Sequence, residues 1–284
     1  MSVAISPSDP RAKTAMDGAA AITFADTAGV TRLEHLYHRA PLRVLFPAPQ
    51  PGDVPLAALV TTSGGLVGGD RLRVDATVRP GAAAMVAGQA AEKVYRSAGA
   101  DVRVAVTLTA EEGAWLEWLP QETILFDGAR LRRQTTVDIA PGGRILAGEM
   151  LVFGRTARGE RLKTGLVHDA WEVSKSGRRV WSDAFRLEGD LERPLDHPAG
   201  LDGATAYATA VYVGDDAADR LAAARGFLKG AGVRAAATCV AGVLIVRWLG
   251  DSGAAVRLAF GLFWCGFRGI VAGLPPSLPR LWHV

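Results

Sequence analysis

Six acidic residues carry most of the chemical potential of this sequence: Asp70, Glu92, Glu122, Asp127, Glu149 and Glu160. Several of them stand beside short polar corners that recur along the chain. Paired carboxylates can perform acid–base hydrolysis, as glycosidases do. They can equally be solvated charges at turns that pair with nearby arginines. Recognisable hydrolase motifs are missing, since the chain has neither G-x-S-x-G nor H-E-x-x-H. A tight metal site has little to draw on, with 5 His and 2 Cys in all. His35 and His38 are three apart, so they would share a face of a helix but oppose each other on a strand, and no third ligand stands beside them. Cys239 and Cys265 lie in apolar stretches without a C-x-x-C, which reads as buried free thiols in a reducing compartment.

Gly64-Gly65-Leu66-Val67-Gly68-Gly69-Asp70 is the most unusual local run. A phosphate-binding loop would need a following Lys-Ser/Thr, or a helix after a GxGxxG turn. Here Asp70-Arg71 and a strand pattern follow, and the carboxylate would repel phosphate. The run therefore predicts a tight strand-to-strand corner with close backbone approach and positive φ.

The elements that position the acids follow a period of two. Leu72–Val78, Val102–Thr109 and, less cleanly, Leu131–Ile139 alternate apolar and polar residues with β-branched content, the pattern of half-buried strands. Each leads to a turn: Arg79-Pro80-Gly81, Glu111-Glu112-Gly113 and Ala140-Pro141-Gly142-Gly143. Each turn is followed by an apolar run, a polar corner and an aromatic residue (Tyr95, Phe126, Phe153). This unit repeats at roughly 30 residues, a period at which strand units stack as solenoids or layered sheets. The prediction is a mainly β fold of stacked sheets in a β-helix-like solenoid, with a few helices mostly in the C-terminal third. A β-sandwich is the alternative. Stacking would align Glu92, Glu122 and Glu149 in a ladder. A hairpin is expected from Gly165 to Leu187. After residue 215 the pattern predicts a helix capped by Asp215 or Asp216 through Leu228, paired strands at Val233–Thr238 and Val243–Leu249, and a second apolar helix capped by Asp251-Ser252. Residues 1–22 read as a disordered arm, and 23–284 as one β-rich domain.

The 284 residues are 49% apolar and 21% charged, an ordinary globular composition. The net charge of +3 and pI near 9.1 come from arginines spread along the chain, with no basic–aromatic module for nucleic acid. Met1–Ala21 has no apolar core of a secretory signal, and Ala254–Pro275 is interrupted by Arg257 and Arg268, too charged for a comfortable membrane span. The expectation is a cytoplasmic protein with no nucleic-acid or membrane partner. The apolar late segment Phe260–Phe267 is a candidate docking patch.

Four stretches resemble the urease accessory protein UreD (UreH) family over roughly residues 30–284: Thr61–Asp70, Ala90–Arg96, Leu119–Ala129 and Gly154–Glu160, with Pro279-Arg280-Leu281-Trp282 near the end. The resemblance implies a non-enzymatic scaffold that binds apo-urease together with a UreF-type helical protein and a UreG-type GTPase, as a dimer within the accessory complex. It implies that the scaffold helps deliver Ni²⁺ through an internal passage, with no tightly bound cofactor. The missing P-loop lysine fits GTP hydrolysis residing in the UreG-type partner. Clustered His or Cys would hold nickel too firmly for passage, whereas scattered carboxylates and water allow both entry and exit. Asp70, Glu92, Glu122, Asp127, Glu149 and Glu160 are thus candidate passage-lining ligands, with Glu122 and Asp127 the favoured pair. The competing reading is a carboxylate-based hydrolase on a β-solenoid.

Overall fold

The computed structural model describes residues 15–283. One set of strands comprises β1 (Asp17–Thr27), β2 (Val30–Arg39), β5 (Arg71–Val78), β8 (Val102–Ala110), β11 (Arg130–Ile139), β13 (Thr164–Lys175) and β14 (Arg178–Asp190). The other comprises β3 (Leu42–Leu45), β4 (Leu56–Thr61), β6 (Ala83–Gly88), β9 (Trp115–Leu119), β12 (Arg144–Phe153), β15 (Ala206–Val213), β16 (Arg234–Val240) and β17 (Val243–Gly250). Short β7 (Glu92–Val94) and β10 (Thr123–Leu125) join the second set beside β12. The result is a seven-stranded sheet, ordered β14-β13-β11-β8-β5-β1-β2, stacked on a ten-stranded sheet, ordered β16-β17-β15-β12-β9-β6-β4-β3.

The repeat sets this architecture. β5, β8, β11 and β13 are parallel neighbours, as are β6, β9 and β12. Each solenoid turn therefore contributes one strand to each sheet. The turns between them superimpose: Gly81, Gly113 and Gly142 have φ of +70°, +66° and +69°, a left-handed backbone that favours glycine. Gly81 N donates to Glu112 O at 2.9 Å, so one turn is bonded to the next. Alternation sends Leu72, Val74, Val106, Leu108, Leu131 and Val137 inward to the core between the sheets. A mainly β stacked fold with few helices is thus the observed class.

A second apolar core lies between the ten-stranded sheet and the helices. These are α2 (Leu221–Phe227) and α3 (Gly253–Ala272), preceded by the short α1 (Glu192–Asp196). As the sequence predicts, Ser252 caps α3, its Oγ accepting from Ala255 N at 3.3 Å. Phe260, Phe263, Trp264 and Phe267 are buried, with Phe260 and Phe263 each 5.2 Å from the Trp248 ring. The candidate docking patch over 260–267 is therefore core packing, because the helix presents these aromatics to the sheet. Leu258, Leu262 and Ile270 occupy its exposed side instead. By length and composition α3 could cross a membrane, but half of its most apolar window is buried. Its Arg268 is fully buried and bonded to Glu117 and Asp53.

Other expectations shift. Asp17–Ile22 of the expected arm are the start of β1, held in parallel register with β5; residues 1–14 lie outside the described residues. α2 begins at Leu221 rather than at Asp215 or Asp216, because Asp216 accepts from the Tyr212 hydroxyl and Arg220 instead of capping. In the glycine corner, Gly65 and Gly69 have positive φ. Gly68 is required for a different reason: a Cβ there would lie 2.2 Å from Ser97 Oγ and 2.7 Å from Ala100 O.

Candidate functional site

A cavity of about 230 Å³ opens between the two sheets beside this glycine corner. Its rim includes exposed Gly64, Gln89, Ala90 and Lys93, and its deep end reaches buried Trp118, Arg133 and Glu149. That volume has room for several waters at about 30 Å³ each. Gln121 lines the cavity and its Oε1 is buried without a partner, a polar orphan of the kind ordered water satisfies.

Two of the six acids line this space. Glu92, on β7, accepts from Thr61 Oγ1 at 2.6 Å and from Lys93 N at 3.1 Å. Burial pushes its carboxyl above the ordinary range despite those bonds. Glu149, on β12, is almost wholly buried and sits 2.5 Å from Arg133 Nη1, while Trp118 Nε1 donates to it at 2.9 Å. Arg133 also donates from Nε and Nη2 to the two oxygens of Asp169, each at 2.8 Å, and from Nη1 to Thr123 Oγ1 at 3.1 Å. Two buried carboxylates thus share one guanidinium. Asp169 takes the bidentate geometry, with two parallel N–H donors from one guanidinium. Glu149 is the acid that burial, with Asp169 adding repulsion, pushes up to about 7 in spite of Arg133.

The remaining four are held elsewhere. Asp70 is fully buried and accepts from Met16 N and Val67 N at 2.8 Å, closing the glycine corner. Glu122 pairs with Arg257 of α3 at 2.8 Å. Asp127 accepts from Lys163 N and Thr164 N at 3.0 Å and pairs with Arg96; burial opposes its ionisation, but these donors hold its carboxyl below the usual range. Glu160 accepts from Asp127 N and pairs with Arg155, which lowers its carboxyl in turn.

The expected ladder of Glu92, Glu122 and Glu149 does not form. Glu92 is in register with Thr123, and Thr123 with Leu151, so Glu122 is one position out of phase and Glu149 two. One residue of slip turns a side chain to the opposite face, which sends Glu122 toward α3 and leaves Thr123 facing the cavity. His35 and His38 lie on β2 and therefore point to opposite faces; His38 Nε2 accepts from Arg43 at 3.0 Å. Among the described residues no three His, Cys, Asp or Glu converge as a metal site.

Arg133, at the deep end of the cavity, and Asp169, which holds its guanidinium, were missed as site residues. Their signal was present: Leu131, Arg133, Thr135, Val137 and Ile139 share the inward phase of β11, and one of them is an arginine. An inward arginine demands a buried acid, which the strand Thr164–Lys175 supplies.

Comparison with known proteins agrees with the geometry. The model of the UreD urease accessory protein family matches residues 16–283. A urease accessory protein UreD of Magnetococcus marinus is 47% identical over 288 aligned residues, covering 100% of this chain and 99% of the relative. Those of Azorhizobium caulinodans and Methylobacterium sp. (strain 4-46) are 40% and 41% identical, each across 90% of this chain and 92% and 90% of the relative. With a match spanning nearly the whole β-solenoid and the C-terminal helices, this chain belongs to the UreD family of urease accessory proteins.

Proposed function

We propose that the chain is a non-enzymatic scaffold of urease maturation, which binds apo-urease with UreF-type and UreG-type partners and conducts Ni²⁺ through its interior. The observation that carries the reading is the cavity between the sheets, floored by a carboxylate that has no full counter-charge. Glu149 and Glu92, with Thr61, Thr123 and Gln121, offer oxygen atoms and no imidazole or thiolate. Oxygen ligands and water bind a late first-row cation weakly enough to release it. A divalent cation entering here would displace the proton from Glu149 and compete with Arg133 for its oxygen. Glu92 and Glu149 replace Glu122 and Asp127 as the favoured pair, since the latter two are outside the cavity lining and engaged with arginine or backbone donors.

The test is the double change Glu92→Gln/Glu149→Gln in the intact accessory complex, reading nickel per urease active site together with pull-down of the partners. Reduced nickel with assembly retained is the expected result. Unchanged nickel loading would remove the conduit role from this cavity, and loss of assembly would make the two acids structural.

A further inference from the structure

The seven-stranded sheet has one face on the inter-sheet core, while both longer helices lie on the ten-stranded sheet. Among the described residues its outer face is therefore left without a helical cover. Parallel sheets ordinarily have both faces covered, and β1, β5, β8, β11 and β13 form a parallel run. Register places Asp17, Arg71, Arg103, Arg132, His168 and Arg186 in one row across this face. Neighbouring strands lie about 4.8 Å apart, so Arg71, Arg103 and Arg132 stand side by side over roughly 10 Å. Like charges directly opposite each other destabilise a sheet. Asp101 compensates Arg132, but Arg71 and Arg103 are exposed and form no ion pair among the described residues. The row borders a groove of about 510 Å³, also lined by Gln134, whose Nε2 is buried with no hydrogen-bond partner. In the next row Arg73 stands between Ala19 and Ala105 and pairs with Asp75.

We propose that this face docks a carboxylate-rich protein surface, with Arg71 and Arg103 receiving its acidic side chains and Gln134 donating to one of its acceptors. Three features point to that occupant: adjacent cations, two of which form no ion pair among the described residues, an unpaired donor in the groove beside them, and a sheet face that no described helix covers. A nucleic acid fits less well, because Asp17, Asp75 and Glu188 stand among the arginines on the same face and would oppose a continuous phosphate backbone. The groove abuts the cavity, with Leu72, Val104 and Arg133 lining both, whereas Arg71 and Arg103 line the groove alone.

The experiment uses fluorescent poly-L-glutamate as the probe, titrated onto the full chain at low salt. The variant Arg71→Glu/Arg103→Glu alters only exposed side chains, and its circular dichroism and melting confirm the fold. Arg178→Glu/Arg193→Glu, equally exposed and elsewhere on the surface, makes the same change in net charge. Binding by the unmodified chain, weakened tenfold or more by the first variant and retained by the second, is the expected result. No binding by the unmodified chain, or equal loss in both variants, overturns the proposal. So does a DNA duplex that competes as tightly through the same two arginines, which would make the face a phosphate-binding one.

Discussion

Replacing Glu149 by Gln should make the protein's stability less dependent on pH between 5 and 8. The carboxyl has an ordinary value of 4.5 and is pushed up to about 7 by burial beside Asp169. Above 4.5 the unfolded chain releases this proton while the folded chain keeps it, so the group's contribution to stability falls as pH rises and levels off above about 7. At about 1.4 kcal/mol per decade the full difference is about 3 kcal/mol, and about 2–3 kcal/mol of it falls between pH 5 and 8. Gln has the shape of the protonated acid and can still accept from Trp118 Nε1, leaving Arg133 with Asp169. Acids whose partners hold them below the usual range, such as Asp127 and Glu160, act at lower pH and are common to both proteins. Glu92, which burial shifts upward, also cancels in the comparison. Urea denaturation at pH 5, 6, 7 and 8 measures the effect. The variant should match the unmodified protein near pH 5 and exceed it by about 2 kcal/mol near pH 8. Parallel pH profiles would show that Arg133 neutralises Glu149 fully and that the cavity floor has no excess negative charge.

The glycine corner should discriminate among its residues. Gly68→Val forces a side chain onto Ser97 and the Ala100 carbonyl and should cost about 1–3 kcal/mol. Gly64→Ala, whose nearest neighbour would be Tyr95 Oη at 3.8 Å, should stay within about 0.5 kcal/mol; equal melting losses would refute the corner geometry. On the exposed side of α3, Leu258→Asp/Leu262→Asp should abolish co-elution with the UreF-type partner while leaving the melting temperature unchanged. Retained co-elution would place that contact elsewhere.

Period-two alternation and the recurrence of glycine-bearing turns determined the stacked β architecture in advance, because a strand with one buried face must alternate and a repeated strand–turn unit can bury that face only on its neighbours. Ser252 and the apolar run behind it likewise determined α3. The phase of each side chain relative to the next turn of the solenoid was decided only in three dimensions. Turns of unequal length set β7, β10 and β12 in a register that separates Glu122 from Glu92, and one-residue phase reverses a side chain's face. The Arg133–Asp169–Glu149 cluster joins residues from three strands, and the arginine row gathers Arg71, Arg103 and Arg132, which look scattered along the chain. Charge and burial depend on such neighbours in space rather than in sequence. The identities of the acids were therefore legible from the start, but which of them would be buried short of a counter-charge was decided by tertiary packing alone.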